Sequence, residues 1–144
     1  MITRTSFLVS FFDVDIMGIV HHTVYPKWFE TGRRDYLIKA GIPHSKFNSL
    51  GLYLPLSHME CKYKSPAKFG DEISVTTCIT FVSYVKIKFE YNVLNNINGK
   101  LLATGNTVHG WTDINVNPLN IEKTAPDIYS LLQTLVVDKN KITI

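Results

Sequence analysis

Cysteine is scarce in this chain of 144 residues: there are two, Cys61 and Cys78. Both fall in strand-like segments, and neither makes a CxxC or a metal-ligand spacing. Reduced, buried thiols in a cytoplasmic protein are therefore expected rather than a disulfide framework. Long apolar runs are also missing, which excludes a membrane-spanning helix. The first residues, MITRTSFLVSFF, lack the long apolar core and small-residue cleavage site of a signal peptide and alternate like a strand. Charge of one sign is not in large excess. A formal charge of +3 without a dense Lys/Arg cluster excludes nucleic acid as the expected partner and suits a small anionic ligand. There is no GxGxxG, P-loop, GxSxG elbow, HxxxH or HExxH, which removes dinucleotide, P-loop, serine-elbow and zincin chemistry. His21 and His22 are adjacent and are expected to point in different directions, so no metal and no cofactor are predicted.

What remains is ordinary globular material, 45% apolar and 19% charged. The length suits one domain, 1–144, with one real core. One strong helix signal stands out. Tyr25, Trp28, Phe29, Gly32, Tyr36, Leu37 and Ala40 recur near helical spacing, with Lys27, Glu30, Arg33, Arg34 and Lys39 mostly off that stripe. Thr23 is a plausible N-cap, Pro26 suits a helix start, and Gly41 and Pro43 end the helix. Gly32 on the stripe would let a sheet approach closely.

Strand patterns flank this helix. Ile2 to Phe12 reads as a strand before it. After a loop or short helix at His44 to Leu50, segments near 54–65, 72–82, 84–93 and 101–112 alternate with period two. Ile73, Val75, Thr77, Ile79 and Phe81 share one face, as do Val85, Ile87, Phe89 and Tyr91. Asn98-Gly99 supplies a hairpin turn, and Asp127 to Val137 suggests a C-terminal helix followed by a strand-like tail. One strand, one long helix and about four further strands argue an α+β fold, an antiparallel sheet with the helix on one face.

Chemistry concentrates where the first strand meets the helix, in DVDIMGIVHHTVYPKWFE, Asp13 to Glu30. Asp15 stands three residues before Gly18 and a few before the helix. A carboxylate there can act as base or nucleophile on a carbonyl whose oxygen faces the free helix amides. Taken alone, an Asp in this position more often caps a turn. Gly18 fits either a tight turn or close backbone approach to a ligand. His22, at the helix entrance, can polarise a carbonyl, bind a ligand or orient water. Asp13 can share a face with Asp15.

The segment FFDVDIMGIVHHTVYPKWFE resembles the active-site region of the 4-hydroxybenzoyl-CoA thioesterase-like family, the hotdog-fold acyl-CoA thioesterases. Asp13, Asp15, Gly18, Val20, His22, Tyr25, Trp28, Phe29 and Glu30 fall on its pattern. YKSPAKFGDEISV, Tyr63 to Val75, is similar to the family's Tyr-x-x-Pro-Ala strand-turn-strand. The resemblance implies a long central helix wrapped by a five-stranded antiparallel sheet. It also implies a homodimer or homotetramer with its sites at a subunit interface. Asp15 would be the catalytic carboxylate, the backbone N–H at His22 would hold the thioester oxygen, and Gly18, Val20 and Tyr25 would line the substrate site. An acyl-CoA is the implied partner. Val14, Ile16-Met17 and His21 depart from the pattern and alter the pocket lining. Lys62, Lys64, Lys86 and Lys88 could meet CoA phosphates or simply face solvent. Two rival readings are a hydroxyacyl-thioester dehydratase or hydratase using His22 and Glu30, and a non-catalytic acyl-CoA-binding domain.

Overall fold

A computed structural model describes residues 1–138. Strand β1 (Ile2–Leu8) leads through two 3₁₀ turns, Phe11–Asp13 and His22–Val24, into helix α1 (Tyr25–Lys39) and a short α2 (His44–Ser49). Four strands follow: β2 (Leu56–Tyr63), β3 (Glu72–Val82), β4 (Lys86–Asn95) and β5 (Leu101–Gly110). A short α3 (Ile121–Thr124) and α4 (Pro126–Leu135) close the described chain. The five strands form one sheet in the order β1-β3-β4-β5-β2, and every neighbour pair is antiparallel. The α+β hotdog expectation is borne out.

The helix lies on the sheet because its apolar stripe matches the inward face of β3, β4 and β5. Tyr25, Trp28, Phe29, Gly32, Tyr36 and Leu37 are its buried residues. They meet Ile73, Val75, Ile79, Ile87, Phe89, Tyr91 and Val93 in one core. Phe29 stacks on Tyr91 with ring centroids 4.6 Å apart. Gly32 does what its place on the stripe suggested: a Cβ there would come within 2.6 Å of Thr77 Oγ1 and 2.9 Å of Val75 Cγ1. Gly105 on β5 gives the same clearance to the Phe29 ring. Both positions trade helix or strand propensity for close packing.

Several local expectations change. The first strand ends at Leu8, because buried Val9 bonds to the Asp71 carbonyl and Ser10 caps the turn over Phe11–Asp13. Thr23 is not the cap of α1. It lies inside the preceding 3₁₀ turn, which is capped by the His21 ring, and α1 follows without a side-chain cap. A bulge between Ile79 and Phe81 flips the strand face, so Phe81 is half-exposed and Val82 is buried instead. Val85 sits before β4 and is about two-fifths exposed rather than buried. As an edge strand, β2 exposes residues on both faces rather than alternating cleanly. Cys78 is buried, Cys61 is partly buried, and both are free thiols. The helix expected near the C-terminus is present as α4. The strand-like tail expected after Val137 lies outside the described residues. Among the described residues, no helix is long and apolar enough to cross a membrane.

Candidate active site

The segment between β1 and α1 is tied down by its own backbone. The Asp15 N–H donates to the Ile19 carbonyl at 2.9 Å, and the Gly18 N–H donates to the Asp15 carbonyl at 2.9 Å. Val14 bridges Val20, and Ile19 bridges Lys68. The tight turn requires a left-handed residue at its end, and Gly18 supplies φ +74°. Nothing stands within 4 Å of where its Cβ would be. Gly18 is therefore needed for backbone conformation, not for closeness to a neighbour, and it does not line the cleft described below.

Asp15 plays the turn role as well as facing the cleft. One carboxylate oxygen, Oδ1, accepts the Met17 N–H at 2.8 Å. The side chain also lines an open cleft of about 430 Å³ together with Val20, His22 and Tyr25 from the entrance of α1. Of the five site residues expected from the sequence, four are thus brought to one place. Among the described residues, no acceptor meets the His22 N–H, which is the first of the 3₁₀ turn. The neighbouring Thr23 N–H is taken by His21 Nδ1 at 3.3 Å. The two imidazoles do not diverge as expected. They lie with centroids 4.3 Å apart, tilted by 37°, because the Thr23 hydroxyl, 2.7 Å from His21 Nδ1, holds that ring back over the turn.

The opposite wall of the cleft comes from Tyr63, Lys64, Ser65 and Pro66, at the end of β2. The Tyr63 hydroxyl donates to the His22 carbonyl at 2.9 Å, and its ring meets Tyr25 edge-on at 5.1 Å. Desolvation, with the adjacent Cys61, pushes the Tyr63 phenol up to about 12, so it remains a proton donor at neutral pH. Burial likewise raises the Tyr25 phenol. These wall residues were visible in the YKSP motif, but sequence spacing alone could not say that the motif faces Asp15. Lys64 reaches the cleft, whereas Lys62 pairs with Glu60 at 2.9 Å and Lys88 with Glu90 at 3.2 Å.

Glu30 is not at this cleft. It is exposed, pairs loosely with Arg33 at 3.7 Å, and lines a separate cavity further along α1. The His22–Glu30 couple that a dehydratase would use is therefore not assembled within this chain. Arg33 also departs from expectation. Though mostly off the apolar stripe by spacing, its side chain is only 11% exposed and meets His109. Among the described residues, no three His, Cys, Asp or Glu side chains meet in a group that could hold a metal ion.

Fold and cleft together define an α+β hotdog domain with a carboxylate and an open amide at the entrance of its central helix. The thioesterase-like superfamily matches residues 9–128, and the chain belongs to that family. A provisionally named esterase of Aquifex aeolicus (strain VF5) is 34% identical over 101 residues, 70% of this chain and 77% of its own. YneP of Bacillus subtilis (strain 168), provisionally named an acyl-CoA thioesterase, is 27% identical over 127 residues, 88% of this chain and 91% of its own. The crystal structure of DHNA-CoA thioesterase from Staphylococcus aureus superposes with a TM-score of 0.87 at 23% identity. It covers 92% of this chain and 89% of that one; that likeness speaks to the fold. The chain is by family a thioester hydrolase.

Proposed function

We propose that this protein hydrolyses an acyl-CoA thioester to the free acid and CoA at the Asp15–His22 cleft, on a single domain spanning 1–144. The observation that carries the proposal is that His22, whose backbone N–H has no acceptor among the described residues, lines one open cleft with Asp15. The thioester carbonyl would direct its oxygen at that amide, where developing negative charge is met by a fixed donor and by the positive end of α1. Asp15 would then act in one of two ways. It attacks the carbonyl carbon to give a mixed anhydride and expel the CoA thiolate, with water cleaving the anhydride. Alternatively, it takes a proton from a water that attacks directly. The thiolate is a good leaving group, so neither route needs a strong general acid.

The remaining residues have supporting parts. Oδ1 of Asp15 is engaged by Met17, which orients the carboxylate. The imidazole of His22, a cleft residue, would orient water, while Val20 and Tyr25 would contact the acyl group. Lys64, which lines the cleft, would meet a CoA phosphate. The resemblance adds a homodimer or homotetramer to this reading, which sedimentation analysis tests, and the two free thiols suit a cytoplasmic location. The deciding experiment follows thiol release from a panel of aliphatic and aromatic acyl-CoAs with wild type and Asp15→Asn. Asn can still accept the Met17 N–H, so the fold should survive while kcat falls by about 10²–10³ or more. A folded Asp15→Asn protein with near-native turnover would sink the assignment. Tight acyl-CoA binding without thiol release by wild type would favour a binding domain instead.

A further inference from the structure

The second cavity, of about 220 Å³, lies between the middle of α1, α2 and the segment before β2. None of its lining side chains lines the Asp15 cleft. Arg33 stands eleven residues beyond His22, roughly 17 Å along a helical rise of about 1.5 Å per residue.

Arg33 is the reason to look here. A guanidinium carries five N–H donors and a charge that does not titrate away. This one has a nearly buried side chain, and its Nε is buried without a hydrogen-bond partner. Its short bond runs to His109 Nε2, at 2.6 Å. His109 Nδ1 faces the Leu54 carbonyl at 3.0 Å, so Nδ1 carries the proton and Nε2 is left to accept. Burial, reinforced by Arg33, pulls His109 down to about 4. The ring is therefore neutral at pH 7 and supplies no countercharge. The nearest carboxylate, Glu30, is 70% exposed and 3.7 Å away, a screened contact of small value. On the cavity wall, burial and Arg33 also lower His44. The one carboxylate on the cavity wall, Glu30, is mostly in solvent and only loosely engaged, and burial makes a charge such as that of Arg33 expensive unless it is well paired.

The other walls choose among anions. Phe47, Leu52 and Leu54 are apolar, and Asn48 adds a neutral polar group. Walls of this kind favour an organic body over a fully hydrated inorganic ion, and the planar guanidinium fork matches the two oxygens of a carboxylate. We propose that this cavity binds a small organic monocarboxylate, its charge on Arg33 and its apolar body against Phe47, Leu52 and Leu54. Acids of this class are what thioester hydrolysis releases, so occupancy would follow product. The site itself does not depend on hydrolysis at the cleft.

Calorimetric titration of the full chain with sodium benzoate tests this, with benzamide as the uncharged match and inorganic phosphate as the inorganic anion. Benzoate should bind wild type and Asp15→Asn alike. It should bind Arg33→Met at least about tenfold more weakly, through loss of a charged hydrogen-bond donor. Arg33→Lys should also weaken binding, since a point charge does not reproduce the fork. His44→Ala, at the cavity wall, gives a second weakened variant that leaves the Arg33–His109 contact in place. Benzamide should not bind, and phosphate should bind less tightly than benzoate. Absence of benzoate binding to wild type, equal binding to folded Arg33 variants and His44→Ala, or loss in Asp15→Asn would each overturn the assignment. So would phosphate binding more tightly than benzoate. Loss of turnover in Asp15→Asn with benzoate binding retained separates this site from the catalytic reading.

Discussion

The two halves of α1 treat polar groups in opposite ways. At its entrance, the chain leaves the backbone N–H of His22 unbonded, and His22 and Asp15 line one open cleft. Further along, Gly32 removes a side chain so that the sheet can close, and Arg33 enters the protein with a neutral histidine as its short-range partner. The entrance gains openness from turns, since a 3₁₀ segment without a preceding helix turn has amides to spare. The middle gains order from packing, since buried aromatic rings leave little room for water. The same helix thus carries one site that is open by backbone geometry and one cavity whose charge is isolated by burial.

The comparison can be broken most severely at the entrance. His22→Pro removes the N–H yet suits the first position of a helical turn, and the preceding residue is already extended, with φ −63° and ψ 141°. Thiol release should fall by about 10²–10³, the usual cost of an oxyanion donor. His22→Ala, which keeps the amide, should lose far less. Equal losses in the two would assign the role to the imidazole.

In the packed half, Gly32→Val should act on stability instead. A side chain there meets Thr77 and Val75, and overpacking of this kind costs about 3 kcal/mol at the upper end of its usual range. Urea denaturation reads that loss, and turnover per folded molecule should hardly change. A variant as stable as wild type would mean that the sheet can yield at this position.

A smaller effect comes from pH. The His109 pKa is depressed in the folded protein to about 4, below the usual value of about 6.5 for the unfolded chain. The unfolded state therefore binds more protons between these values. This contribution to stability is complete at pH 7 and is lost as pH falls from about 6.5 toward 4. Between pH 7 and pH 5, roughly 2 kcal/mol should disappear. His109→Gln should remove that part of the slope; an unchanged slope would place the titration elsewhere.

The smallest effect joins the two walls of the cleft. Tyr63→Phe deletes one hydrogen bond to the His22 carbonyl, worth about 0.5–1.5 kcal/mol. Turnover should fall severalfold with little change in KM, because the bond holds the turn that presents the amide. A change confined to KM would make Tyr63 a substrate contact rather than a support.

Much of this was legible in the chain itself. The apolar stripe from Tyr25 to Leu37 is local and periodic, so the helix and its buried face follow directly. The close approach at Gly32 follows from its place on that stripe. Asp15, Val20, His22 and Tyr25 lie within eleven positions, and a single turn into a helix brings them to one cleft. Tyr63 and Pro66 could be seen as a motif but not as the facing wall. That placement depends on β2 pairing with β5 at the far edge of the sheet, a long-range choice. The bulge after Ile79 and the ring cap from His21 are likewise set by neighbours that period counting does not contain.

Arg33 marks the limit of such counting most clearly. By helical spacing it belongs near the solvent side with Arg34 and Lys39. Its burial is decided by His109, seventy-six positions later, and by α2 and the following segment folding over it. The sequence by itself determined the helix, the alternating strands and the grouping of acid, glycine and histidine at the helix entrance, because those rest on local periodicity and turn chemistry. Only the tertiary structure decided which amide stays open, which wall faces it and which cation is buried, because each depends on contacts between strands and helices distant in the chain.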